Sequence, residues 1–338
     1  MKSESNKGKT AALKQFKKWL RSEKGPGMFT VVPLSKHGYD GCSHSIMSAN
    51  AHKDHIVKRN ASISAKAIEL GLQPADPAVN KIAVPYLDVF LNLSGGSIWT
   101  LRNKAAHMAL ESGVSSYLLF IDGDMEWTVG ELEALRTLCQ TRQDADICGG
   151  LVSTREPGRL PCVYDWDEEK KNFPRMSSLP SETEPFEVDG LGCAFTAIKL
   201  DLFREFEPIE DGWFWWQRNL GEDLFFVLRA SQARYEQGKT FKIIVDPKIR
   251  PGHVGLCSFR YNDKDDAYYK AYNGLLDTLQ AAIASEAKHS VSTIASQMGD
   301  SINFESRSKS DDKEMRKIRE LLQPLIASVA LSVREEMN

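Results

Sequence analysis

The chain has no Cys-x-x-Cys pair. Its six cysteines (Cys42, Cys139, Cys148, Cys162, Cys193 and Cys257) are scattered over 338 residues, several in apolar surroundings, as Cys148 is after Ile147. Such scattered thiols fit a reducing compartment better than a disulfide framework. Also missing is any apolar run long enough to cross a bilayer, and the first residues lack the apolar core of a signal peptide. The expected location is therefore cytoplasmic, with no membrane span. No segment repeats at a fixed period, which excludes solenoids and propellers. Neither sign of charge prevails: the formal net charge is -3, so bulk charge carries no nucleic-acid signature. Hydrophobic content of 42% and charged content of 26% are those of an ordinary globular chain. The length allows one large α/β domain with appendages, or two domains.

What is present is unevenly placed. Residues 1–27 carry Lys2, Lys7, Lys9, Lys14, Lys17, Lys18, Arg21 and Lys24 against Glu4 and Glu23. Leu13, Phe16, Trp19 and Leu20 recur among these lysines at helical spacing, so a short helix over 10–21 is expected, broken by Gly25-Pro26-Gly27. Such a basic arm suits phosphate or another anionic surface, and a solvated tail is its plainer reading.

Beyond the arm, apolar strand-like runs alternate with helical spacing. Strands are expected near 28–32, 81–90, 117–121, 146–152 and 241–245, and 186–198 is expected as a glycine turn followed by a strand. Helices are expected over 51–70, 97–111, 129–140 and from 221 onward. The stretches 35–50 and 157–185 read as polar, irregular excursions, and residues after 263 read as helical. Alternation of this kind predicts a mostly parallel α/β sheet flanked by helices.

The most informative stretch is Tyr117-Leu-Leu-Phe-Ile-Asp-Gly-Asp-Met-Glu126. A short continuous apolar run reads as a strand buried on both faces. It ends in Asp122 and Asp124, separated by one glycine, at the carboxyl edge where α/β sheets bind ligands. Two carboxylates so spaced make a compact oxygen-donor site for a hard divalent cation; a cap or turn is the alternative. Glu222 and Asp223 open a predicted helix, where acidic residues also serve as dipole complements. Upstream, Trp213, Trp215 and Trp216 offer either core or flat faces suited to a sugar ring. His253, between glycines after a strand, is a candidate metal ligand or a structural histidine.

In order, these pieces resemble the GT-A-type glycosyltransferases, the nucleotide-diphospho-sugar transferase superfold, especially small phage and bacterial members. The resemblance runs over residues 28–258. It rests on Gly96-Ser97, Arg102-Asn103, the Asp122–Asp124 turn, Val188-Asp-Gly-Leu-Gly-Cys-Ala-Phe195, Gly221-Glu-Asp-Leu-Phe225 and Gly252-His-Val-Gly255. It implies a GT-A Rossmann-like domain over 28–260, between the basic arm of 1–27 and a helical extension over 261–338.

The same resemblance implies roles for individual residues. Asp122, Asp124 and His253 would hold Mn2+ or Mg2+. Arg102, Asn103, Asp122, Asp189, Gly190, Gly192, Trp215 and Trp216 would face a nucleotide-sugar donor such as a UDP-sugar. Asp223 would be the general base of an inverting transfer, with Glu222 beside it; in a retaining transfer Asp223 would orient the acceptor. The implied acceptor bears a hydroxyl, on a surface glycan or a hydroxymethylated phage DNA base, and the location would then be the host cytoplasm. The basic arm leaves nucleic acid open as a partner. Departures from the family pattern are the polar insertion at 35–50, the dense tryptophan run and the C-terminal helices.

Two other readings stand beside this one. A degenerate sugar-nucleotide fold would serve as a binding or scaffold module. A haloacid-dehalogenase-like phosphatase also starts from an apolar strand and Asp-x-Asp, but Met125-Glu126 and the mid-chain position of the turn count against it.

Overall fold

The computed structural model describes residues 2–34, 43–154, 160–209, 212–217, 220–254 and 258–259. The elements in chain order are α1 (Lys2–Trp19), β1 (Met28–Pro33), α2 (Ser43–Glu69), α3 (Pro77–Ala83), β2 (Val89–Leu93), α4 (Ile98–Ser112), β3 (Tyr117–Ile121), β4 (Met125–Glu126), α5 (Val129–Thr141), β5 (Ile147–Gly150), β6 (Val163–Tyr164), β7 (Phe186–Val188), β8 (Gly190–Leu191), β9 (Phe195–Lys199), α6 (Glu222–Glu236), β10 (Ile243–Asp246), β11 (Gly252–Val254) and β12 (Ser258–Phe259).

Seven strands form the central sheet, in the order β2-β1-β3-β9-β5-β10-β7. Strands β2, β1, β3, β5 and β10 run parallel, while β9 and β7 run the other way. The expected mostly parallel sheet flanked by helices is thus the one observed.

Strand alternation divides the core. Phe29, Val31, Leu118 and Phe120 point to one face, with Leu101, Ala105 and Ala109 of α4 and Phe226 and Ala230 of α6. Met28, Val32, Leu119 and Ile121 point to the other, with Leu132, Leu135 and Leu138 of α5. A strand covered on both sides needs no polar alternation, which is why 117–121 is apolar throughout.

Helix ends follow local chemistry. Ser97 caps α4 by accepting the N–H of Thr100, and Gly113 closes it in the left-handed region at φ 62°. Thr128 and Glu131 form a reciprocal capping box on α5.

The sequence reading failed in three places. Extended structure was expected from residue 81, but α3 and a 3-10 turn at Val84–Tyr86 occupy that stretch and β2 begins only at Val89. The cause is Asp76, whose side chain accepts the N–H of Ala78 with Pro77 at the first helical position. Helix α2 starts at Ser43 rather than 51, with Ser45, Ser48 and Ala49 buried within the polar excursion. Helix α1 reaches back to Lys2, and Phe16 and Leu20 are buried against Ile63, Ala67, Leu72, Val79 and Ala83. The helical extension expected over 261–338 lies outside the described residues.

Candidate functional site

The polar site sits at the carboxyl ends of the parallel strands. Strand β3 ends at Ile121, and the chain turns at once: Asp122 donates its N–H to Ala194 O, and Met125 donates to Asp122 O. Gly123 is required for this turn. A Cβ there would lie 2.9 Å from the Pro33 carbonyl and 3.2 Å from Leu34. The turn delivers Met125 to β4, which pairs antiparallel with β11 so that His253 lies opposite Met125. Val254 also donates its N–H to the Asp124 carbonyl at 2.7 Å. Two segments far apart in sequence thereby hold Asp124 and His253 side by side.

Their chemistry is specific. His253 Nδ1 lies 2.9 Å from the Ser153 carbonyl, which can only accept, so Nδ1 carries the hydrogen. That leaves Nε2 facing Asp124 Oδ2 at 3.2 Å. An imidazole nitrogen and a carboxylate oxygen so placed are joined by a cation, either a proton or a metal ion. A histidine oriented by a carbonyl through its other nitrogen is the usual arrangement behind a metal ligand. The pair therefore fits as part of a divalent-cation site.

Asp122 is placed differently. Its Oδ1 accepts from Arg102 Nη2 at 2.9 Å, and Arg102 Nη1 donates to Glu222 Oε1. Among the described residues no group of three or more His, Cys, Asp or Glu side chains is positioned to hold a metal. The structure thus unites Asp124 with His253 and places Asp122 in a second network. Arg102 is 2% exposed and packs its guanidinium over the Phe120 ring, 5.7 Å from the centroid, with Nε buried and lacking a hydrogen-bond partner. Burial acts to lower its pKa, but the surrounding acidic groups, Asp122 foremost, outweigh this and raise it. Burial pushes the Glu222 carboxyl up, Arg102 pulls it back and Asp223 adds to the rise.

Glu222 and Asp223 begin α6, where backbone N–H groups favour negative charge. Asp223 Oδ1 accepts the N–H of Leu224 at 2.8 Å. Gly221 makes room for it, since a Cβ there would come within 2.8 Å of the same oxygen. Gly192 lies on the other side, where a Cβ would stand 3.5 Å from Asp223 Oδ2. Glycines before and across from Asp223 leave its carboxylate approachable by backbone and ligand.

Other expected residues have structural duties. Asn103 is buried; its Oδ1 accepts from the N–H groups of Trp213 and Phe214, and its Nδ2 donates to Phe214 O. Asp189 is exposed, and its Oδ2 accepts the Trp166 N–H at the β6–β8 pairing. Gly190 is enclosed by Leu224, Phe173 and Tyr164. The tryptophan run divides: Trp213 and Phe214 enter the core, while Trp215 and Trp216 are 37% and 56% exposed.

Beside the acidic turn lies a cleft of about 220 Å3, lined by Pro33 and Leu34 of the β1 end, Gly96, Ile98 and Leu101 at the start of α4, and Asp122, Gly123 and Asp124. Sequence reasoning missed Ser153, which acts through a backbone carbonyl and leaves no trace in residue type. It also missed Cys193, buried among Arg102, Asp223, Glu222 and Asp122, whose thiol burial pushes up.

The class defined so far is an α/β protein with an acidic, histidine-bearing site at the carboxyl edge of a mostly parallel sheet. No protein-family model and no curated protein matches the sequence. Among solved structures the chain is similar to A197 from STIV, at 16% identity and a TM-score of 0.38, covering 68% of this chain and 86% of that one. It is also similar to GalNAc-T7, solved with UDP, GalNAc and Mn2+, at 14% identity and a TM-score of 0.42, covering 75% of this chain and 51% of that one.

Proposed function

We propose that this chain is a glycosyltransferase of the GT-A type, moving a sugar from a nucleoside-diphosphate donor, such as a UDP-sugar, to a hydroxyl acceptor. The observation that carries the reading is the Asp124–His253 pair, with its carbonyl-oriented imidazole, beside an open cleft at the carboxyl edge of the sheet. A divalent cation held there by Asp124 and His253 would offset the charge that builds on a departing diphosphate.

The chain's own residues supply the rest. Gly96, Ile98 and Leu101 at the start of α4, with Pro33 and Leu34 where β1 ends, wall the donor cleft. Arg102 holds Asp122 and Glu222 in fixed orientation. Asp223, at the start of α6, accepts the proton of the acceptor hydroxyl, and the glycines around it admit the acceptor. Glu222, raised by burial, is the less suited of the two acids to act as an ionised base.

The test is Mn2+-dependent release of UDP from UDP-sugars by wild type, Asp124→Asn and Asp223→Asn. Asp124→Asn is expected to abolish the metal dependence. Asp223→Asn is expected to lower transfer by about 10^2–10^4-fold while donor binding persists. Donor binding by wild type without any turnover, across UDP- and GDP-sugars, would leave a binding module and sink the enzymatic reading.

A further inference from the structure

Helix α1 and the turn after it carry a basic surface that the transfer reading does not use. Lys14, Lys17, Lys18 and Arg21 border one open depression together with Ser22. Lys14, Lys17 and Lys18 stand on α1 and Arg21 in the π-helical turn Leu20–Lys24 that continues it, and spacings of three and four residues line them along one side over about 10 Å. All four are exposed, and among the described residues none is paired with a carboxylate. Lys9, by contrast, is engaged with Asp76 at 2.5 Å, and Lys24 lies over Trp19. The chain as a whole is slightly acidic, so this concentration of unneutralised charge is local.

The opposite face of α1 decides what can bind. Phe16 and Leu20 are fully buried, and Trp19 is stacked on Phe16 and covered by the ammonium groups of Lys24 and Lys66. Among the described residues of α1 no large hydrophobic side chain is exposed. A helix that docks on a bilayer inserts an apolar face between headgroups, and α1 has spent its own inside the protein. Contact with a phosphate backbone needs cations alone.

We infer that the Lys14–Lys17–Lys18 face of α1, with Arg21 in the turn that follows, binds the phosphate backbone of a nucleic acid, without base specificity. Arg21 also borders the groove formed by Gly25, Pro26, Ser116 and Tyr117 at the amino ends of β1 and β3. This is the pole of the sheet away from Asp124 and His253. A strand bound there is held to the enzyme at a distance from the site, as a tether for a polymeric acceptor. That role rests on the transfer reading, but the binding itself does not.

The experiment uses the full chain and a random-sequence 30-base-pair DNA duplex, with no nucleotide-sugar or metal, so that its outcome is independent of catalysis. Neutralising about four phosphates predicts a slope of log K against log salt near -3 to -4, and about 10^2-fold weaker binding at 200 mM than at 50 mM salt. Combining Lys14→Gln, Lys17→Gln, Lys18→Gln and Arg21→Gln should remove most of that slope while the far-UV spectrum and melting temperature stay unchanged. UDP-sugar hydrolysis by this variant should equal wild type. Absence of salt-sensitive DNA binding would overturn the inference. So would a slope unaltered by the substitutions, or equal or stronger retention on phosphatidylserine vesicles.

Discussion

Asn103 lies next to Arg102, yet the two do opposite work. Arg102 reaches the acidic network, whereas every polar atom of the Asn103 amide is occupied by backbone of Trp213 and Phe214. The fit is close: a Cβ on Gly212 would sit 2.1 Å from Asn103 Cγ. In Asn103→Ala two buried N–H groups and one carbonyl lose their partner, at a cost of ~1–3 kcal/mol for each group left unsatisfied. The expected outcome is a clear drop in melting temperature with donor affinity little changed, measured by thermal unfolding and by nucleotide-sugar titration. Loss of donor affinity in a stable variant would restore Asn103 to the donor site. The Arg-Asn dipeptide marked this stretch of helix as important but could not apportion roles. That depends on which face of α4 meets a loop more than a hundred residues later. Asp124 and His253 were legible because each sits beside glycine at a strand end, but their pairing depends on the β4–β11 register, which no local pattern encodes.

At the scale of elements, the contact of α2 with the sheet contains the least expected group. His52 is 1% exposed, edge-on to Phe90 at 5.1 Å and to Trp127 at 6.3 Å. Burial lowers its pKa from 6.5 to about 3, with Asp88 acting the other way and Arg136 and His55 adding to the fall. Between those values the unfolded chain binds the proton and the folded chain does not. Stability therefore falls as pH drops through that window, by up to about 1.4 kcal/mol per pH unit from this residue. His52→Phe keeps the aromatic contacts and removes the titration. Its denaturant midpoint should lose less than wild type between pH 6.5 and pH 4; identical acid sensitivity in both proteins would refute the assignment. Helices α4, α5 and α6 were readable because caps and apolar stripes are local. The early start of α2 was not, because residues 43–50 look polar until the sheet buries one side of them. The helix at 77–83 was hidden because Pro77, a helix breaker in most positions, is its first residue.

At the scale of the whole molecule, the described residues offer a cation little by themselves. Asp124 and His253 are the side chains the fold brings together, and Asp122 is held by Arg102. A divalent ion bound by one carboxylate and one imidazole keeps most of its coordination for water or phosphate oxygens. Metal and nucleoside diphosphate should then bind as a unit, each raising the affinity of the other by the same factor. Ligands that bind the native state raise its stability by RT ln(1 + [L]/Kd), about 2.7 kcal/mol at a hundredfold excess over Kd. Mn2+ alone and UDP alone are accordingly expected to move the melting temperature slightly. Together they should move it by more than the sum of the two shifts. Asp124→Asn should abolish the excess and leave the small UDP shift, because the cleft walls at Pro33, Leu34 and Ile98 are untouched. Additive shifts in wild type would mean that metal and diphosphate occupy separate places, and the Asp124–His253 pair would then be a structural ion pair at the edge of the sheet.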